Sequence, residues 1–244
     1  MKYKLICCEV FMRLACLAVA DSPNTIDPEF TRLGSHEAPD LLKTDLQERI
    51  DKADASKEYD AIILGYGLCG NSTMGLQARS IPLIIPRAHD CCTIFLGSRE
   101  AFLEDFKDNL SSQWSTEGYM ERDKGYLRNT DTGAFLGLNK EYEELVERYG
   151  EENAGFIWET LHPVKDYGDM IYIQLPELSH LGYLDKFRET AEEQGRNVRL
   201  LEGNTRLLHA LLRGEWDEEE FLIVRPGKKI AAVYDHDRIM EAED

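Results

Sequence analysis

The sequence predicts an α/β fold: a mainly parallel, Rossmann-like sheet with flanking helices and an inserted helical, lid-like segment. Three observations predict it. Residues 61–64 and 82–85 are short Ile- and Leu-rich runs bounded by Gly or Pro, the pattern of strands buried on both faces. Strand-like and helix-like segments alternate at both ends of the chain, the rhythm of βαβ units. Reactive side chains cluster directly after the two apolar runs, where an open parallel sheet binds its ligands.

The elements follow in order. Residues 3–8 read as a strand ending in Cys7-Cys8-Glu9. Phe11, Leu14, Ala15 and Ala18 fall at helical spacing, so a helix follows at once. Asp21-Ser22-Pro23-Asn24 is turn chemistry, and residues 30–33 are a short second strand. Pro39 suits the first turn of a helix whose apolar face is Leu41, Leu42, Leu46 and Ile50. A helix over 71–79 links the strands at 61–64 and 82–85. A helix over 93–107 turns Phe95, Leu96, Phe102, Leu103 and Phe106 inward. The stretch 109–169 differs: Trp114, Tyr119, Tyr126 and Phe135 stand among Gly and polar residues, followed by a Glu-rich helical run over 141–161. It reads as a lid. The α/β rhythm returns with strands at 170–175, 198–201 and 221–224 and helices at 183–194 and 205–212. The organisation is an N-terminal α/β half (1–108) with the Cys/His site, an insert (109–169), and a C-terminal α/β half (170–244) compatible with one shared sheet.

A chain of 244 residues, 43% hydrophobic with a mean hydropathy of -0.43, builds a globular core. Its net charge of -18 excludes nucleic acid, which requires Lys and Arg to displace counterions, and an anionic membrane surface. No run of about 20 apolar residues spans a bilayer. Lys2 and Lys4 before an apolar run ending in Ala18-Val19-Ala20 imitate a signal peptide, but Glu9 and Arg13 interrupt it. The expectation is a cytoplasmic chain without a leader. Its six cysteines, Cys7, Cys8, Cys16, Cys69, Cys91 and Cys92, are then thiols or metal ligands.

His89-Asp90-Cys91 is a His-x-Cys pair with Cys69 at a distance. Thiolate and imidazole are the donors that Zn²⁺ and other borderline-soft ions prefer. Residues two apart in an extended turn share a face, so both side chains reach one ion. Cys8, Glu9 and His36 fall at the ends of the first two strands. In a parallel sheet they share the edge, with Cys8 or His36 completing the metal's shell and Glu9 serving as a base. Taken one at a time, each of these reads more readily as a small packed thiol, a helix-end carboxylate or a surface His. The Gly65–Asn71 loop fits neither dinucleotide nor Walker spacing, so its glycines let the backbone approach a ligand closely. Arg87 is a clamp for a carboxylate or phosphate, or a structural ion pair. Cys92 reads as core.

Three strings, Tyr66-Gly67-Leu68-Cys69-Gly70, Pro86-Arg87-Ala88-His89-Asp90-Cys91 and Leu96-Gly97-Ser98, resemble the signature of domain-of-unknown-function family 1638. Gly34-x-His36-x-x-Pro39 resembles that family's Leu-His-x-x-Pro element. Leu201-Glu202-Gly203 and Gly214-Glu215-Trp216-Asp217 are similar to its C-terminal half. The resemblance implies anaerobic bacteria and archaea and a genomic neighbourhood of corrinoid methyltransferases. The His-x-Cys pair with a remote Cys is also similar to the zinc site of thiol-methylating cobalamin methyltransferases, with the lone Cys before the pair instead of after it.

These readings combine into one expectation and two alternatives. The expectation is a metalloenzyme of corrinoid-linked methyl transfer with zinc or iron on Cys69, His89 and Cys91, acting on a small molecule or a corrinoid protein. The alternatives are a non-catalytic metal or corrinoid handling module, and a thiol-redox protein pairing Cys69 with Cys91.

Overall fold

The computed structural model describes residues 1–33, 39–106, 112–122, 127–129, 146, 168–233 and 239–244. The first half runs β1 (Lys2–Cys8), α1 (Met12–Asp21), β2 (Thr25–Thr31), α2 (Pro39–Ser56), β3 (Ala61–Gly65), β4 (Leu83–Pro86), α3 (Cys91–Leu96) and α4 (Arg99–Phe106). Then come β5 (Gln113–Ser115), α5 (Glu117–Met120), β6 (Arg128–Asn129), β7 (Met170–Gln174), α6 (Tyr183–Glu193), β8 (Val198–Glu202) and α7 (Arg206–Arg213). The chain closes with β9 (Phe221–Val224), β10 (Lys229–Ala232) and β11 (Met240–Glu243).

The central sheet has the order β2-β1-β3-β4-β9. Its first four strands are parallel, and β9 runs antiparallel to β4 at the edge. All residues of β3 and β4 are buried, as their unbroken apolar runs require. The chain steps from β1 out to β2, then back across β1 to β3. Right-handed crossovers in opposite directions lay their helices on opposite faces. Accordingly α1 packs with α7 on one face, through Leu14, Ala18, Leu208 and Leu211. On the other face Leu42, Leu46 and Ile50 of α2 pack with Ile62 and Leu64 of β3.

A second sheet, β6-β5-β7-β8, has β5, β7 and β8 parallel. One face, with Trp114, Ile171 and Ile173, joins the main core, and the other packs Tyr172 against Phe187 of α6. Residues 170–175 and 198–201 therefore build a sheet of their own instead of extending the first. Residues 113–115, expected within a lid, are a strand of it. Most of the expected 109–169 insert lies outside the described residues.

Three local expectations are corrected. Residues 71–75 form turns and 76–79 run on without helix, Gln77 making an isolated antiparallel bridge to Lys229. Cys69, Gly70 and Asn71 all have positive φ (47°, 65° and 66°), and the backbone from Gly75 to Ala78 bonds to the Lys228–Ile230 stretch instead of to itself. The helix expected over 93–107 is broken at Gly97, whose φ of 81° ends α3 in a left-handed cap, so Leu103 of α4 turns outward. Leu41 is 73% exposed, because the stripe of α2 that faces the sheet runs through Leu42, Leu46, Ile50 and Ala53. No helix among the described residues is long and apolar enough to cross a membrane.

The end of α2 is tied to the start of β4 by one carboxylate. Asp54 Oδ1 accepts from the Ser80 and Ile81 amides at 2.7 and 3.1 Å and from Ser80 Oγ at 2.9 Å. Burial pushes this carboxyl up, but the Ser80 and Ile81 donors outweigh it, and its pKa lies below the ordinary value of an aspartate. The ionised form thus stabilises the fold above that value, and the contribution disappears as pH falls through the lowered pKa. Asp54→Ala leaves two amides unpaired, so it should cost about 1–3 kcal/mol at neutral pH in urea denaturation. The variant's stability should also fall less steeply than wild type below about pH 4. Equal acid slopes would remove this carboxylate from the account.

Candidate functional site

The connections from β1 and β3 leave in opposite directions, one toward β2 and one toward β4. That divergence opens a crevice at the carboxyl ends of β1 and β3. The register sets Cys7 beside Gly65 and Cys8 beside Thr31, so the strands end level. A Cβ on Gly65 would stand 2.3 Å from Cys7 Sγ. Cys7 therefore fills the space left by that glycine and belongs to the core. Cys8 and Glu9 follow at the edge, half-buried. Tyr66 lies over the same edge, its hydroxyl bonded to Thr31 Oγ1.

The loops after β3 and β4 are joined by backbone hydrogen bonds. Leu68 N–H donates to Ala88 O and Cys69 N–H to His89 O, each at 2.9 Å. This contact needs Gly67, where a Cβ would lie 2.6 Å from Ala88 O and 3.0 Å from Asp90 N. Ser72 Oγ donates to Cys69 O and Thr73 Oγ1 to Gly67 O, which holds Cys69 in its left-handed conformation. Asp90 caps α3, its Oδ1 accepting from Cys92 N–H at 2.9 Å, and so fixes Cys91 at the first position of that helix. Cys69 and Cys91, 22 positions apart in the sequence, become electrostatic neighbours.

The carboxyl edge of the second sheet abuts this one. Gly118 in α5 rests on the backbone of Val10, just past β1; a Cβ there would be 2.0 Å from Val10 O. Tyr119 OH meets Cys91 Sγ at 2.6 Å. Asn204, just past β8, donates its N–H to Phe95 O at 2.8 Å. Glu9 Oε1 accepts from Leu33 N–H at 2.7 Å, and Oε2 lies 3.6 Å from Arg122. The thiols thus sit between two carboxyl edges.

Burial governs their chemistry. Cys69 is pushed well above the usual thiol range by desolvation, with Cys91 and Asp90 adding to the shift. Burial does the same to Cys7 and Cys92. Glu117, 2% exposed at the tip of β5, is raised by burial, against the opposing hydrogen bond from Leu175 N–H. Desolvation raises the buried Tyr172 hydroxyl, and the nearby Glu117 carboxylate adds to the shift.

The structure therefore brings Cys8, Glu9, Cys69, His89 and Cys91 to one edge. Arg87 points elsewhere. Its Nε donates to Glu218 O at 2.8 Å and its Nη1 to Met240 O, on the wall of a separate cavity of about 330 Å³. His36 lies outside the described residues. Among the described residues no three His, Cys, Asp or Glu side chains converge closely enough to hold one ion as they stand.

The profile of the family described as "Protein of unknown function (DUF1638)" matches residues 30–212. The chain belongs to the DUF1638 family. No curated protein and no solved structure matches it. The match covers Cys69, His89, Cys91 and Tyr119, whereas Cys8 and Glu9 lie before it. For this DUF1638 chain, sequence reading missed Tyr66, Glu117, Tyr119 and Arg122 as members of the edge. Tyr66 was readable from its place between two glycines after β3. The other three stand in a stretch whose strand, β5, is only three residues long.

The two joined loops give a direct test. Gly67→Ala forces a methyl against a hydrogen-bonded backbone, so it should lower stability by about 1–3 kcal/mol in chemical denaturation. A change under about 0.5 kcal/mol, the size of an ordinary surface substitution, would mean the loops are not closely joined.

Proposed function

We propose that the protein holds a soft metal ion, zinc or iron, on Cys69, His89 and Cys91, with Cys8 or His36 completing the set, and works in methyl transfer linked to corrinoid metabolism. The observation that carries this reading is the joining of two loops that brings Cys69 beside Cys91 at the edge where His89 and Cys8 also emerge. The donor chemistry fits: thiols and an imidazole suit zinc and iron. The donors must draw together to hold one ion, since no three of them converge among the described residues.

The order β2-β1-β3-β4 supports a Rossmann-like reading of the first half, with its ligand crevice between β1 and β3. When bound, such an ion lowers a thiol's pKa so that the thiolate can attack a methyl group. The chain's own residues supply the rest. Glu9, one residue past Cys8, takes a proton at its carboxylate. Tyr119 fixes the Cys91 sulfur through its hydroxyl. Tyr119 of α5 also helps shield Cys91, which is 6% exposed, from water. The substrate is a small molecule or a corrinoid protein. None of the six cysteines is in a disulfide, which supports a reducing, cytoplasmic setting. A non-catalytic metal-handling module would use the same donors without turnover.

Thiols and imidazole shed protons to bind a metal, so retention should weaken as pH falls. Protein purified anaerobically should carry about one equivalent of zinc or iron by elemental analysis. Cys69→Ala, His89→Ala and Cys91→Ala should each lose most of it, while Cys92→Ala, a core position, keeps it. Full metal in Cys69→Ala and Cys91→Ala would refute the site. Metal loss accompanied by general unfolding in circular dichroism would make the ion structural and remove the enzymatic reading.

A further inference from the structure

Three thiols reach the carboxyl edge from three different strand exits. Cys8 ends β1, Cys69 follows β3 and Cys91 opens α3 after β4. They approach from different sides of the sheet. Cys69 belongs to the apolar cluster that includes Leu42, Leu46 and Ile50 of α2, and Cys91 to the cluster that includes Leu14 and Ala18 of α1. Cys8 packs against both. They are neighbours all the same: the Cys69 thiol feels the charge of Cys91 and of Cys8, and the Tyr66 hydroxyl that of Cys8 and Cys69. None of the three is in a disulfide. Neighbouring thiols that flank an edge without converging are poorly placed for one ion. A single zinc draws each thiolate sulfur to about 2.3 Å, and no three donors among the described residues converge in that way. An iron–sulfur cluster is several atoms wide, so its cysteine ligands stand farther apart than those of one ion.

We infer that this edge holds a four-iron, four-sulfide cluster, with three irons on Cys8, Cys69 and Cys91 and the fourth left for the imidazole of His89. The inference rests on the metal site proposed above and names its metal. It makes Cys8 an obligatory ligand, where a single ion takes Cys8 or His36. Ligation removes a proton from each thiol, a step that burial alone opposes at Cys69 and Cys91, which are 7% and 6% exposed. The positive iron core offsets the thiolates, as a bound cation does for any coordinating thiol. The backbone N–H of Gly67 also bonds the Cys69 sulfur and favours its thiolate. Hydrogen bonds to sulfur and low solvent exposure are two of the factors that set a cluster's reduction potential. Cys92 is the contrast, because it is fully buried in the core.

The test is anaerobic reconstitution of the full-length, chelator-treated protein with ferrous ion and sulfide, and in parallel with zinc alone. After desalting, iron, zinc and acid-labile sulfide are assayed. Wild type should retain about four irons and about four sulfides per chain, with the broad visible absorption of a cluster. Cys8→Ala, Cys69→Ala and Cys91→Ala should each lose most of the sulfide, while Cys16→Ser and Cys92→Ala keep the wild-type content. Circular dichroism checks that each variant folds, and one that does not is remade with Ser at the same position. Metal bound at about one equivalent without sulfide would overturn the cluster and leave the single-ion reading standing. Iron and sulfide retained in full by Cys8→Ala would overturn it too, since the third thiolate would then be unnecessary. Wild type that retains neither metal nor sulfide would overturn both readings.

Discussion

The arrangement depends on one contact, the backbone joining of the loops after β3 and β4. Two hydrogen bonds, Leu68 to Ala88 and Cys69 to His89, bring the loops to a separation that only glycine at position 67 permits. Each such bond contributes only about 0.5–1.5 kcal/mol net. Its importance is geometric. It turns two neighbouring strand ends into one rigid platform and holds Cys69 in a left-handed conformation that a side chain adopts only under constraint. Asp90 completes the platform by capping α3 and fixing Cys91.

The second sheet depends on that platform as well. α3 starts from it and runs into Gly97, whose left-handed turn leaves room for Asn204. Asn204 and Phe95 then join the exits of β8 and β4 through one hydrogen bond. On the other side α5 meets Val10, because Gly118 has no side chain to hold the backbones apart. Glycines at positions 97 and 118 therefore mark the places where the two carboxyl edges come together. Enclosure follows from this packing, and with it the upward shift of the Cys69 thiol, which loses water without gaining a cation. Glu117 is raised for the same reason at the tip of β5.

The sequence by itself determined the parallel half and its reactive edge. The apolar runs of β3 and β4 admit only strands covered on both faces, and the helical spacing of Leu42, Leu46 and Ile50 requires a sheet beneath α2. Once those strands are parallel, their alternating crossovers leave Cys8, Cys69, His89 and Cys91 at one edge. The direction of Arg87 was decided by tertiary structure, since the backbone oxygens of Glu218 and Met240 that receive it are more than 130 residues away. The non-helical course of 71–79 was decided in the same way, by backbone partners near Ile230. The second sheet and the contact between Tyr119 and Cys91 also required the fold. Strands as short as β5 carry almost no periodic signal, and a thiol and a hydroxyl 28 positions apart meet only when two carboxyl edges pack together.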